Sequence, residues 1–265
     1  MLIYIYETKK LFKITMNGGI IMSKQTYHTA VRISFFVDGT GSMDEFSKMI
    51  KNFLKNSNEK ITNALNDAAR QVEQLEVQLA VFRDFFEEKE EEAFYMSRVY
   101  NLLTEKDEFE KEVDKMTWFG GGDDPESSLQ ALYLGMKKTP KLVTDATKKR
   151  WVIFLFTDNP SHSFEEIINR GGIECYPNYP IDDLPKDLDT FYNEYHSKQG
   201  SIFEKSAGVG LKDVRLNIFA PEKAYPFDVN NIASWANVTR ISIKENGELE
   251  DVSEETLLAT IVASC

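Results

Sequence analysis

The chain has 265 residues, of which 43 are acidic and 31 are basic, so its formal net charge is -12. This length, with an apolar fraction of 42%, is enough for one large α/β domain with a sizeable core. It excludes a disordered tail, a collagen and a disulfide-rich mini-protein. An acidic surface repels phosphate backbones, so no nucleic acid partner is expected. Cys175 and Cys265 form no disulfide framework, which favours a reducing, cytoplasmic location.

The N-terminal segment carries no targeting signal that the sequence reveals. No run approaches the roughly 18 apolar residues of a membrane span, so no membrane attachment is expected. We predict a leader at residues 1–24 and a single domain at 25–265. Gly18 and Gly19 precede Met22, and two glycine codons can form a ribosome-binding sequence. We therefore hypothesise that translation starts at Met22; an ordinary flexible leader is the alternative.

Strands and helices alternate along the rest of the chain. β-branched and aromatic runs predict strands at 30–37, 77–82, 151–156, 214–219 and 238–243, and a short edge strand at 94–96 preceded by a solvated acidic hairpin at 87–92. An apolar face running from Phe46 to Val72 predicts one long amphipathic helix. Further helices are predicted at 105–115, 126–137 with Pro125 in the first turn, 161–170, 184–195 and 253–264. This order predicts a doubly wound α/β fold: a mostly parallel sheet with helices on both faces and one short antiparallel edge strand.

Three segments place oxygen-bearing side chains at predicted carboxyl ends of strands, where ligands of such sheets bind. They are the runs 38–42 (Asp-Gly-Thr-Gly-Ser), 120–126 (Gly-Gly-Gly-Asp-Asp-Pro-Glu) and 157–158 (Thr-Asp). In the first run, Asp38, Thr40 and Ser42 alternate along a loop whose glycines allow a tight curve. One carboxylate and two hydroxyls can therefore converge on one point, and hard oxygen ligands favour Mg²⁺.

The segment 35–43, Phe-Phe-Val-Asp-Gly-Thr-Gly-Ser-Met, resembles the metal-ion-dependent adhesion site of von Willebrand factor A domains, whose signature is Asp-x-Ser-x-Ser. The runs 120–126 and 156–160 are similar to the second and third metal loops of that family. The pair Arg83-Asp84 is similar to a subset of its intracellular and bacterial members. The resemblance implies the Rossmann-like fold of the family and a binding function, in which the metal keeps one coordination position for an exposed Asp or Glu of a protein partner.

By position, the resemblance also implies a ligand set. Thr40 and Ser42 would bind the metal through their hydroxyls, and Asp38 and Asp158 would hold metal-bound waters. Asp123 would stand where many members have Thr, with its neighbour 124 as an alternative. The extra carboxylate tightens metal binding but weakens the capture of a partner's acid. The implied metal is Mg²⁺, with Mn²⁺ or Ca²⁺ as alternatives.

Four other residues lie near these motifs. Trp118 and Phe119 adjoin the glycine run and are interpreted first as packing residues, but they are also candidate anchors at the rim of a partner site. His162 follows Asp158 closely enough to reach the site, although a solvent-facing loop position is the simpler interpretation. Arg83, among several acids, is interpreted as a structural counter-charge.

Two rival functions stay open at this point. Haloacid-dehalogenase-like phosphatases also begin with a strand that ends in Asp and use Mg²⁺. Their general acid lies two residues later, where this chain has Thr40, and no enzymatic residue set is evident, so we do not expect an enzyme. The second rival is a scaffold that binds no metal, in which Asp38 and its loop form only a turn and a helix cap.

Overall fold

The computed structural model describes residues 3–7, 10–14, 20–22, 28–67, 71–86, 88–121, 125–169, 181–221, 229–242 and 252–265. The strands are β1 (Ile3–Glu7), β2 (Lys10–Ile14), β3 (Ile20–Met22), β4 (His28–Asp38), β5 (Gln71–Phe82), β6 (Phe94–Met96), β7 (Tyr100–Asn101), β8 (Lys148–Phe156), β9 (Val214–Ala220) and β10 (Val238–Ser242). The helices are α1 (Asp44–Asp67), α2 (Glu90–Ala93), α3 (Lys106–Asp114), α4 (Ser128–Lys138), α5 (Phe164–Asn169), α6 (Leu188–His196), α7 (Ile202–Lys205) and α8 (Glu254–Ser264).

The main sheet is mostly parallel, as predicted. Its order is β10-β9-β8-β4-β5-β6, and the first five strands of this order run parallel to one another. The antiparallel edge beside β5 consists of two short segments, β6 and β7. Strands β1 to β3 pair antiparallel in a sheet of their own. The hypothesis that translation starts at Met22 stays a prediction. None of the described helices is both long and apolar enough to cross a bilayer.

Two apolar cores cover the two faces of the sheet because alternate residues of a strand point in opposite directions. On β4, Val31 and Phe35 pack with α1, α3 and α8, whereas Ala30 and Phe36 pack with α4 to α7. Both faces of the central strands are therefore buried, which explains their unbroken apolar runs. The doubly wound α/β fold is confirmed.

β4 also carries a buried arginine within one of these cores. Arg32 Nε donates to Glu76 Oε2 over 2.8 Å, and its Nη2 donates to the carbonyl oxygen of Lys141 over 3.3 Å. Its Nη1 donates to the carbonyl oxygen of Pro140. The charge is thus neutralised inside the fold, as burial of a guanidinium requires.

Several predicted boundaries were wrong. The long helix ends at Asp67, and Val72 lies on β5 instead. The acidic stretch before β6 contains the short helix α2 in place of a hairpin. Helix α4 begins at Ser128, and Pro125 precedes it, because Glu126 forms a parallel bridge with the distant Ser161.

Two further helices are shorter than predicted. α5 begins at Phe164, after the bridge that holds Ser161 in extended backbone. α6 begins at Leu188 because the carboxylate of Asp187 caps it, accepting a 2.7 Å hydrogen bond from Thr190 N.

Candidate metal centre

The candidate centre lies at the carboxyl ends of β4 and β8, which are neighbours in the sheet. Three segments meet there, and we call them the first loop (39–42), the glycine loop (117–121 and 125–126) and the third loop (157–162). The first loop follows Asp38, the last residue of β4, and the third loop follows β8. Neighbouring parallel strands place their carboxyl ends at one edge, so topology brings together four of the predicted residues: Asp38, Thr40, Ser42 and Asp158.

Asp38 is completely buried, and both of its carboxylate oxygens are used. Oδ1 accepts hydrogen bonds from Thr40 N over 3.0 Å and from Thr40 Oγ1 over 2.7 Å. Oδ2 accepts a 2.9 Å hydrogen bond from Thr157 Oγ1. The carboxylate therefore holds the first loop and the third loop in a defined arrangement.

A continuous chain of oxygen atoms runs from Asp38 to Asp158. Thr40 Oγ1 lies 2.7 Å from Asp38 Oδ1 and 3.2 Å from Ser42 Oγ. Ser42 Oγ in turn donates to Asp158 Oδ1 over 3.1 Å. Asp158 and Thr40 are buried, whereas Ser42 is exposed, so the chain of oxygens reaches the protein surface at Ser42.

The electrostatics of these oxygen atoms favour a bound cation. Burial and, after it, the negative charge of Asp158 raise the pKa of Asp38, and hydrogen bonds from Thr40 and Thr157 lower it; the net result is a pKa of about 7. Two carboxylates that destabilise each other's charge in a buried place are stabilised by a positive ion between or beside them.

The donor set fits a hard divalent ion. Four oxygen donors from two carboxylates and two hydroxyls lie in sequence, and Mg²⁺ prefers oxygen ligands with some positions left to water. Among the residues that the structure describes, no group of three or more His, Cys, Asp and Glu side chains is arranged to hold a metal. Half of the oxygen donors at the candidate centre are hydroxyls of Thr and Ser, so a site of this kind needs no cluster of His, Cys, Asp and Glu.

The glycine loop approaches the first loop closely. Gly41 N donates to Gly120 O over 3.2 Å, and Phe119 N donates to Gly39 O over 3.0 Å. Gly121 has a φ of 74°, and a Cβ there would lie 2.8 Å from Thr40 Cβ. Only glycine allows this backbone conformation and this contact together. Asp123 and Asp124 lie outside the described residues, so the ligand role predicted for Asp123 stays a prediction.

Two polar residues of the predicted motif runs make contacts at the centre that the sequence interpretation did not assign to them. Thr157 supports Asp38, as described above, and its position directly after an apolar strand was the available signal. Glu126 is a buried carboxylate, and a Cβ on Gly121 would lie 2.8 Å from its Oε1 as well as from Thr40 Cβ. A third acid therefore adjoins the first loop; in the sequence it is the last residue of the run 120–126 and the first residue of a predicted helix.

The three residues proposed for the rim have different environments. Phe119 is 38% exposed and remains at the surface beside the first loop. Trp118 is half-buried and packs against the core on the α1 side, where Lys51 Nζ lies 5.6 Å from its ring centroid. Trp118 is therefore a packing residue, while Phe119 is partly exposed and its rim role stays a prediction.

The solvent-facing interpretation of His162 was wrong, and so was its place at the rim. Its side chain is buried, with the residue only 3% exposed. Nε2 lies 3.1 Å from Asp84 Oδ1, and Nδ1 lies 3.0 Å from Glu166 Oε2. Burial by itself lowers the pKa of His162, but the hydrogen bonds and charges of Asp84 and Glu166 outweigh it and raise the pKa. His162 thus fastens the third loop to the residue that follows Arg83.

The comparison with known families agrees with this geometry. The family model described as von Willebrand factor A domain matches residues 32–169, a little over half of the chain. The matched region contains the first loop, the glycine loop and the third loop. The chain belongs to the von Willebrand factor A family. No curated protein matches it in sequence.

The solved structures that are similar to this chain are distant from it in sequence. The pilus adhesin SpaC from Lactobacillus rhamnosus GG is 11% identical, with a TM-score of 0.49, and the match covers 98% of this chain and 33% of the adhesin. Proximal thread matrix protein 1 from the mussel byssus is 13% identical, with a TM-score of 0.45 over 90% of this chain and 48% of that protein. A further structure of the mussel protein, at a TM-score of 0.42 and 13% identity over 88% of this chain and 46% of that one, has a zinc-occupied adhesion motif. The chain thus spans about a third to a half of these proteins.

Proposed function

We propose that this von Willebrand factor A domain is a metal-dependent protein-binding module. The observation that carries the proposal is the chain of four oxygen donors from Asp38 through Thr40 and Ser42 to Asp158, which is buried at its ends and exposed at Ser42. The hydroxyls of Thr40 and Ser42 would hold the ion, and the two carboxylates would hold it through water. Mg²⁺ is the proposed ion, with Mn²⁺ or Ca²⁺ as alternatives.

The proposed partner is a protein that presents an Asp or Glu side chain. A protein of net charge -12 repels an acidic partner at long range. A divalent ion beside the exposed Ser42 would supply a local positive centre, which a carboxylate can approach to complete the coordination shell. Phe119, exposed beside the first loop, is positioned to add an apolar contact.

The environment of Asp38 favours binding over catalysis. A phosphatase of the haloacid-dehalogenase type needs an accessible carboxylate as its nucleophile. Here the carboxylate is buried, and three hydrogen bonds from Thr40 and Thr157 occupy both oxygens. Such a group supports neighbouring side chains more readily than it attacks a substrate. A cytoplasmic location, without nucleic acid or membrane contacts, remains part of the proposal and rests on the cysteine usage and the charge.

Metal binding is tested by calorimetric titration of Mg²⁺ and Mn²⁺ into the chelator-treated chain and into Thr40→Val, which keeps the side-chain shape but removes the hydroxyl. Thr139→Val is the matched control, because Thr139 is also buried and its Oγ1 donates to Gly135 O over 2.7 Å, at the C-terminal end of α4. We expect Thr40→Val to bind at least tenfold more weakly and Thr139→Val to bind like the wild type. Equal affinity in all three proteins, or no binding by the wild type, would favour the scaffold without metal.

The partner chemistry is tested by selecting peptides from a random display library on the immobilised domain, once with Mn²⁺ and once with a chelator. The proposal predicts enrichment of Asp and Glu only when the metal is present. Replacing the selected acid by its amide should then remove binding. Enrichment that the chelator leaves unchanged would contradict capture through the metal.

A further inference from the structure

Arg83 is a buried arginine beside the first loop. It follows β5 directly and is only 4% exposed. Its Nε donates to Gly39 O over 2.9 Å and to Phe119 O over 3.2 Å, and its Nη2 donates to Thr117 O over 2.5 Å. Its Nη1 donates to the carbonyl oxygen of Glu92. One guanidinium thus joins the first loop, the glycine loop and α2 through their backbones.

The guanidinium makes close contacts with Gly39 and with the ring of Phe119. A Cβ on Gly39 would lie 2.6 Å from Val81 Cγ1 and 3.1 Å from Arg83 Nη2, so glycine is required for this close approach. The ring of Phe119 lies over the guanidinium, with its centroid 3.9 Å from Cζ. A planar fork with five N–H donors can make all of these contacts at once, whereas a lysine ammonium cannot.

The next residue extends the same connection to the third loop. Asp84 Oδ1 lies 3.1 Å from His162 Nε2 and also accepts a 2.9 Å hydrogen bond from Phe86 N. Two consecutive residues at the end of β5 therefore contact all three segments that form the candidate centre. β5 carries none of the predicted metal ligands, so its end acts as a support for loops that come from other strands.

We propose that Arg83 is a positioning residue of the metal centre. By binding backbone carbonyls of the first loop and the glycine loop, it holds the hydroxyls of Thr40 and Ser42 where both can meet one ion. This inference rests on the proposed metal-binding function. It replaces the simpler interpretation of Arg83 as a counter-charge for nearby acids.

The two interpretations predict opposite effects on metal affinity. If Arg83 were only a counter-charge, Arg83→Met would tighten metal binding, because a positive charge near the site repels a cation. Arg83→Lys keeps the charge and would leave the metal affinity unchanged. A positioning residue acts through its geometry. Both substitutions then weaken binding, because the loops must be ordered at the expense of binding energy. We expect a loss of about ten- to hundredfold, as for other groups that orient metal ligands.

Arg32 provides the matched control within the same sheet. It is 1% exposed and also donates to two backbone carbonyls, those of Pro140 and Lys141, but its hydrogen bonds within the described part of the chain reach none of the three loops of the centre. Arg32→Lys therefore disturbs a buried arginine of the same kind. It should lower the melting temperature and leave the dissociation constant of Mn²⁺ as in the wild type.

The experiment is a calorimetric titration of Mn²⁺ into the full chain, as wild type, Arg83→Lys, Arg83→Met and Arg32→Lys, at a temperature at which circular dichroism shows each protein folded. The expected result is weaker binding by both Arg83 variants alone. If Arg83→Met does not fold, the Mn²⁺ affinity of Arg83→Lys is compared with that of the wild type instead. Unchanged affinity of Arg83→Lys, tighter binding by Arg83→Met, or an equal loss in Arg32→Lys would overturn the inference while metal binding itself stands. Absence of binding by the wild type would overturn the proposed function and this inference together.

Discussion

Replacing Ser42 by alanine separates the contribution of metal binding from that of ordinary folding contacts. The Ser42 hydroxyl is exposed and makes hydrogen bonds of 3.2 Å with Thr40 Oγ1 and 3.1 Å with Asp158 Oδ1. In the presence of a chelator, the substitution removes contacts worth about 0.5–1.5 kcal/mol of unfolding free energy. The chelated variant should therefore fold and melt only slightly below the wild type.

The gain in unfolding free energy on metal binding, which we call the metal increment, is larger than this loss and specific to the candidate centre. An ion at a hundredfold excess over its dissociation constant stabilises the folded wild type by about 2.7 kcal/mol. For a chain of this size, that is a rise in melting temperature of about 5–10 °C. If the loss of one hydroxyl ligand weakens binding hundredfold, the same metal concentration stabilises the variant by only about 0.4 kcal/mol. The increment should thus nearly disappear.

The assay is differential scanning calorimetry with a chelator and with millimolar Mg²⁺ or Mn²⁺. Ser253→Ala is the control: Ser253 caps α8, its Oγ accepts a 3.2 Å hydrogen bond from Thr256 N, and its loss costs about 1 kcal/mol in both conditions. The control should melt lower but keep the full metal increment. An increment of the same size in Ser42→Ala and the wild type would refute the assignment of Ser42 as a ligand.

Three further predictions concern the rest of the domain. Gly135→Ala within α4 should destabilise the protein by about 1–3 kcal/mol, although alanine is the better helix former, because its Cβ would lie 2.1 Å from the buried ring of Phe36; chemical denaturation that shows a gain in stability would contradict this packing. His162 has a raised pKa, so its stabilising contribution is complete below its unfolded pKa of about 6.5 and is lost as the pH rises through the folded pKa. With a chelator present, the wild type should therefore lose more unfolding free energy than His162→Gln over this pH range. The same pH dependence of stability in both proteins would contradict the prediction. Asp187→Ala should cost about 1 kcal/mol, measured by urea denaturation, because it removes the cap of α6 that binds Thr190 N; an unchanged midpoint would argue against the cap.

Local sequence pattern was sufficient for the central sheet and for four of the residues at the candidate centre. Strands β4 and β8 are covered by helices on both faces, so they must be apolar throughout, and such runs are visible without any structure. The positions of Asp38 and Asp158 follow from the same pattern, because Asp38 ends one such strand and Asp158 is the second residue after another. Parallel topology then places both at one edge of the sheet.

Contacts between distant segments decided what the pattern left open. The start of α4 depends on the bridge between Glu126 and Ser161, and the burial of His162 depends on Asp84, so neither is encoded in a local period. The role of Arg83 is the clearest case, because most of its partners are backbone carbonyl oxygens. Every residue has such an oxygen, so no residue type in the sequence marks the acceptors. Only the folded chain brings them within reach of a single guanidinium.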